Sequence, residues 1–139
     1  MVCDIQQFNE INVLASEANW AWPVALRNIF QPRGINLLVA GNISEFLNII
    51  QRKRIHTTIF DIDPEKSNTI AMIKIIRMSH PLLPFILLTD NASQTMLDKA
   101  LQLDVFSVID KPVDMNILRE QLDRLFTKKY HSDIFRAFS

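Results

Sequence analysis

Cysteine is nearly absent from this chain: Cys3 is the single one among 139 residues. That excludes an internal disulfide and any CxxC metal site, and it suits a reducing compartment. Net charge is missing too. Lys+Arg and Asp+Glu stand at 15 each, so bulk charge gives no case for direct binding to nucleic acid or to a membrane surface. No apolar run approaches the roughly 18–20 residues of a membrane span. The N-terminal "MVCDIQQFN" lacks the basic start and apolar middle of a signal peptide, and a cytoplasmic setting is expected. Internal repeats, low-complexity tracts and Gly/Ser linkers are also lacking. What is there is apolar. Hydrophobic residues make up 48% and charged residues 22%, which suits one folded domain with a real core.

Five short apolar runs recur: "INVLA" (11–15), "INLLV" (35–39), "TTIFD" (57–61), "FILLT" (85–89) and "FSVID" (106–110). They are continuous rather than alternating, the pattern of strands covered on both faces. Helical spacing fills the gaps. The segment 20–31 carries Trp20, Val24, Ile29 and Phe30, with Pro23 tolerated near a first turn. Trp20 and Trp22 read as packing around this helix. "SEFLNIIQRKR" offers Ser44 as N-cap and ends in basic residues. "TIAMIKIIRM" (69–78) is closed off by Pro81. "SQTMLDKALQL" (93–103) sets Met96, Leu97, Ala100 and Leu101 as its apolar positions. "DMNILREQLDRLF" (114–126) has Asp114 as cap and Met115, Leu118, Leu122 and Leu125 on one face. Strand and helix alternate five times, which argues a parallel α/β sheet with right-handed crossovers.

In such sheets ligands sit beyond the carboxyl ends of the strands. The residues there are Ser16-Glu17, Ala40-Gly41, Asp61-Ile62-Asp63, Thr89-Asp90 and Asp110-Lys111-Pro112. Carboxylates, a hydroxyl and an ammonium would gather at one edge. Carboxylates and carbonyls suit Mg²⁺. An aspartate can act as a nucleophile and form an acyl-phosphate, and a hydroxyl and a lysine can hold phosphoryl oxygens.

These residues, in this order on five strands, resemble the receiver domain of two-component response regulators, the CheY-like family. The resemblance covers roughly residues 9 to 126. It implies a (βα)5 doubly wound, five-stranded parallel sheet of flavodoxin-like order 2-1-3-4-5. It implies that Asp61 is phosphorylated by a sensor histidine kinase or a phosphotransfer protein. It implies Mg²⁺ as cofactor, held by Glu17, Asp61 and the backbone carbonyl of Asp63. Thr89 matches the hydroxyl ending strand 4. Lys111-Pro112 matches the Lys-Pro pair ending strand 5, 22 residues after Thr89, and a cis bond is expected before Pro112. Arg77, sixteen residues after Asp61, sits where many receivers carry a basic residue. The domain reading is a receiver at 9–126, followed by a tail at 127–139 that extends the last helix or serves as a linker or dimer element.

The chain departs from the family at three site positions. Ser16 stands where the first metal-directed acid is usual, Asp90 where a small residue follows the hydroxyl, and Val108 where a Phe or Tyr rotates on phosphorylation. Asp63 reads equally as a solvated turn acid ahead of Pro64 or as a replacement for the charge lost at Ser16. These departures keep open a degenerate receiver, a phosphorylation-independent interaction module. "DIDPE" also resembles the Asp-x-Asp motif of haloacid-dehalogenase-type phosphatases, but Glu65 stands where Thr or Val is expected and the motif comes late in the chain. His56, His80 and His131 read as ordinary surface or loop histidines. Ile134, Phe135 and Phe138 read as a docked or dimerising helix. No enzyme activity beyond self-phosphorylation and autodephosphorylation is expected. No DNA-binding helix-turn-helix follows residue 126, so output is expected from a partner, a homodimer through the helix 4–strand 5–helix 5 face or the tail, or a further domain.

Overall fold

The computed structural model describes residues 10–16, 22–62, 68–90 and 94–136. Strands β1 (Ile11–Ser16), β2 (Ile35–Ala40), β3 (Thr57–Ile62), β4 (Phe85–Thr89) and β5 (Ser107–Asp110) alternate with helices α1 (Trp22–Phe30), α2 (Ile43–Arg52), α3 (Asn68–Ser79), α4 (Gln94–Gln102) and α5 (Met115–Tyr130). All strand pairs are parallel, and their order is β2-β1-β3-β4-β5. The fold class read from the sequence is the one observed.

The continuous apolar runs have a direct cause. Successive side chains along a strand point to opposite faces, and here both faces are covered. Val13, Ala15, Ile59, Ile86, Leu88 and Ile109 face one core with Leu26, Phe30, Leu118, Leu122, Leu125 and Phe126. Leu14, Phe60, Phe85 and Leu87 face the other with Phe46, Ile73, Ile76, Ala100 and Leu103. Each face buries apolar surface at roughly 25 cal/mol per Å², so the sheet is held from both sides and its carboxyl edge is a fixed platform.

The helix ends show which local signals prevailed. Asp114 caps α5, its side chain accepting from the Asn116 amide at 2.8 Å. The cap of α2 is Asn42 rather than Ser44: its Oδ1 accepts from the Glu45 amide at 2.9 Å. Glu45 reaches back to the Gly41 amide at 2.7 Å, so an acid three residues past the cap secures the turn, as in a capping box. In α4 the expected apolar face is narrower than read: Ala100 is buried, but Leu101 is 78% exposed. Of Met96 only the backbone lies within the described residues.

The tail folds back onto the domain. α5 runs on to Tyr130, and His131 takes a left-handed conformation (φ 53°) that ends it. Residues 132–136 then return to α1 and α5. Phe135 is fully buried, edge-on to Phe30 and Phe126 at 5.7 and 4.8 Å between centroids. Its carbonyl accepts from Arg119 at 2.7 Å, and Arg33 donates to the carbonyls of Ile134 and Arg136 at 2.8 and 3.1 Å. Phe135 is therefore docked within one chain, but on a turn rather than on the expected helix, because the left-handed His131 breaks α5 before it.

His56 corrects the surface reading of the histidines. It is fully buried at the start of β3, its Nδ1 accepting from the Asn12 amide at 3.2 Å. Its ring lies 5.4 Å from Tyr130 and 6.4 Å from Phe126. Burial, with the nearby Arg54 charge, lowers its pKa to about 4. It is a neutral core imidazole.

Candidate functional site

The parallel register carries four strand ends to one edge. Ile62 lies opposite Thr89, and Thr89 opposite Asp110. Asp61, one residue before the end of β3, pairs with Leu88. The Lys111 amide donates to the Thr89 carbonyl at 2.8 Å, which extends the ladder by one residue and directs the Lys111 side chain back over the edge. The Lys111–Pro112 peptide bond is cis.

Lys111 Nζ donates to Asp61 Oδ1 in a direct ion pair. The Asp61 side chain is only 9% exposed and that of Lys111 23%, so bulk water screens the pair poorly. A second carboxylate, Asp90 Oδ2, lies 3.8 Å from the same ammonium, on a side chain 62% exposed. One lysine thus faces two acids, and the three groups together keep a net negative charge. Thr89 is buried at the end of β4, its Oγ1 donating to the Asp90 carbonyl at 3.1 Å.

Ser16 ends β1 beside Asp61. Its Oγ accepts from the Asp61 backbone amide at 2.8 Å. This bond ties the backbone at the candidate nucleophile to the neighbouring strand, and no local pattern announces it because the two residues lie 45 positions apart. Val108 is partly buried against the core beneath α4. Glu17, Trp20, Asp63 and Phe138 lie outside the described residues. Among the described residues, no group of three or more His, Cys, Asp or Glu gathers as a metal site.

Arg77 is not brought to this edge. It lies at the opposite, amino end of the sheet, its guanidinium donating to the carbonyls of Pro81 (2.8 Å), Leu83 (2.7 Å), Leu103 (3.1 Å) and Asp104 (3.1 Å). It also stacks over Phe85, 4.6 Å from the ring centroid. Burial lowers its pKa and the Asp104 charge partly restores it. Its role here is to fasten the turns that precede β4 and β5.

A carboxylate, a paired ammonium and a strand-end hydroxyl on a rigid edge are the parts that phosphoryl transfer to a side chain uses. Comparison with known proteins shows the family. The family model for the response regulator receiver domain matches residues 21–123. The transcriptional regulatory protein GlrR of Escherichia coli (strain K12) is 28% identical over 90 residues, a match covering 65% of this chain and 20% of that protein. The chain therefore spans about a fifth of the length of that curated relative. Among solved structures, a response regulator receiver protein from Pseudomonas putida is 24% identical, with a TM-score of 0.72 over 84% of this chain and 98% of that one. The signal receiver domain of an HD domain-containing protein from Pseudomonas fluorescens Pf-5 reaches a TM-score of 0.76 at 16% identity, over 89% of this chain and 100% of that one. At such identities the structures bear on the fold, and the family match rests on the sequence model. No helix of the described residues is long and apolar enough to cross a membrane. With five strands in the order 2-1-3-4-5 and a family match over most of its length, the chain belongs to the response regulator receiver domains of two-component signalling.

Proposed function

We propose that this receiver accepts a phosphoryl group on Asp61 from a sensor histidine kinase or a phosphotransfer protein, and that the acceptor state biases a protein-interaction surface. The observation that carries the reading is the ion pair between Lys111 and the nearly buried Asp61 carboxylate at the carboxyl edge of the sheet. Receiver domains generally act with such donors, generally bind Mg²⁺ at their acidic pocket and generally are not enzymes. The donor set at this edge, a strand-end carboxylate beside a serine hydroxyl, consists of hard oxygens and suits that ion. Mg²⁺ would be held by Asp61, with Glu17 and the Asp63 carbonyl as the further donors, and would neutralise charge on the phosphoryl oxygens.

In the transfer, an Asp61 carboxylate oxygen attacks phosphorus and a C–O–P acyl-phosphate link forms. The donor's N–P bond breaks, and its imidazole nitrogen keeps the electron pair. Lys111 passes from the bare carboxylate to a phosphoryl oxygen. The Thr89 hydroxyl turns from the Asp90 carbonyl to another. That turn draws on β4 and β5 and biases the adjoining face between two states. For a homodimer, the tail is the weaker surface because Phe135 is spent within the chain. The α4–β5–α5 face, where Ile117 is half exposed, is the surface we propose for partner binding.

A second reading has its own support. The Ser16 hydroxyl in place of a carboxylate removes one metal-directed charge, and Asp90 competes for Lys111 at 3.8 Å. A receiver built this way could hold its interaction surface without phosphate. Titration with beryllofluoride and Mg²⁺, followed by amide NMR, separates the two. The phosphoacceptor reading expects shifts at Thr89 and along residues 107–111 that vanish in Asp61→Ala. Wild-type spectra that stay unchanged would favour the constitutive module.

A further inference from the structure

The balanced total charge hides an uneven distribution. At the amino end of the sheet, away from Asp61, the last turns of α5 set Arg124, Lys128 and Lys129 along a cleft of about 470 Å³. Its floor is the 81–84 turn with Val105 and Phe106, and Asp104 is the one acid on its wall. The same turn borders a second cleft of about 610 Å³, lined by Ile50, Lys53, Ile55, His80 and again Lys129. Arg124, Lys128 and Lys129 form no ion pair among the described residues. Lys128 and Lys129 have an ordinary reason to be there, since cations suit a helix C-terminus. Arg124 lies more than a turn further in, beyond the reach of that effect, and opens toward the cleft with them.

Between the clefts Leu82 stands 89% exposed. A lone exposed leucine is common. This one sits on a turn that is held from below. Arg77 donates to the Pro81 and Leu83 carbonyls, the Leu83 amide to the His80 carbonyl at 3.2 Å, and both Thr57 and Thr58 hydroxyls to the Pro84 carbonyl at 3.2 and 3.0 Å. The turn therefore presents an apolar side chain on a backbone already held in place, beside the cleft that Arg124, Lys128 and Lys129 line.

We propose that this end of the domain is a docking surface for an acidic protein segment carrying apolar side chains. The apolar residues would pack against Leu82 and the Leu83–Val105–Phe106 floor, while the carboxylates meet Arg124, Lys128 and Lys129. Charge complementarity selects the sign of the partner. Concavity selects a chain segment: a bilayer or a nucleic-acid duplex is too broad to enter either cleft, and one protruding leucine gives little membrane grip. The surface is independent of phosphoryl chemistry, so a partner could dock there with Asp61 accessible.

The test uses an array of synthetic peptides in three sets, acidic with spaced leucines, neutral with the same leucines, and basic with the same leucines, probed with the full chain. The acidic set should bind best, weaken as salt rises and shift amide signals of residues 81–84, 104–106 and 121–129. The triple charge reversal R124E/K128E/K129E and, separately, Leu82→Ser should each weaken binding by about tenfold or more. The second variant changes an exposed turn side chain, so it keeps the fold if the first does not. No preference for the acidic set, equal binding by both variants, or binding confined to phosphatidylserine vesicles or duplex DNA would overturn the proposal. So would shifts that report association of the chain with itself.

Discussion

At the scale of single residues, Lys111 is the shared resource. It contacts Asp61 and lies 3.8 Å from Asp90, so removing Asp90 should release it toward the acceptor. The Asp90→Ala variant is expected to react faster with a small phosphodonor, by about two- to fivefold given the modest worth of a partly exposed ion pair. A rate unchanged or lower in an initial-rate assay would contradict the competition. Ser16→Asp should tighten Mg²⁺ binding, as seen by calorimetry, by adding a carboxylate to a hard-ion site; weaker binding would mean that the serine bond to the Asp61 amide matters more than charge. His56 gives a pH prediction. Its pKa of about 4 in the fold lies below the ordinary 6.5, so the unfolded chain takes up its proton first. Its effect is neutral above pH 6.5, and stability falls as pH drops toward 4, by at most about 3 kcal/mol. Urea denaturation of wild type and His56→Gln across that range should show a steeper acid loss in wild type; parallel curves would count against it. Asp61, Thr89 and Lys111 were legible in the sequence because each closes an apolar run. The Ser16 bond to Asp61 was not, since long-range contacts leave no local pattern. A surface reading of His56 fails because the residue opens a strand buried on both faces.

At the scale of elements, the last helix and the tail are one unit. Phe135 fills space between Phe30 and Phe126, and two arginines hold the carbonyls around it. Phe135→Ala should cost about 3 to 4 kcal/mol, read as a lower urea midpoint, while a cost below about 1 kcal/mol would mean the tail rests only loosely on the domain. The strands and helices could be read from the sequence because continuous apolar runs and 3-4 spacing are local properties. The tail's path could not, because it depends on where Phe30 and Arg33 lie in space. At α2 two capping residues stand close together, and the chain uses Asn42 with Glu45 rather than Ser44. The exposed Leu101 shows the same limit: helical spacing marks an apolar stripe without saying how wide a stripe the sheet can cover.

At the scale of the whole molecule, the sheet separates two ends with different chemistry. The carboxyl edge gathers Asp61, Thr89, Lys111 and Asp90, whereas the amino end presents Leu82 among basic side chains. Two cores, one on each face, hold these ends apart. The parallel architecture followed from the sequence because only a strand covered twice needs an unbroken apolar run. Whether the edge is live is the central question, and intact-mass measurement after incubation with Mg²⁺ and a small phosphodonor addresses it most directly. Wild type is expected to gain the mass of one phosphoryl group, labile to hydroxylamine as an acyl-phosphate is, and Asp61→Ala to gain none. A wild-type chain that gains nothing, or a gain that persists in Asp61→Ala, would contradict it.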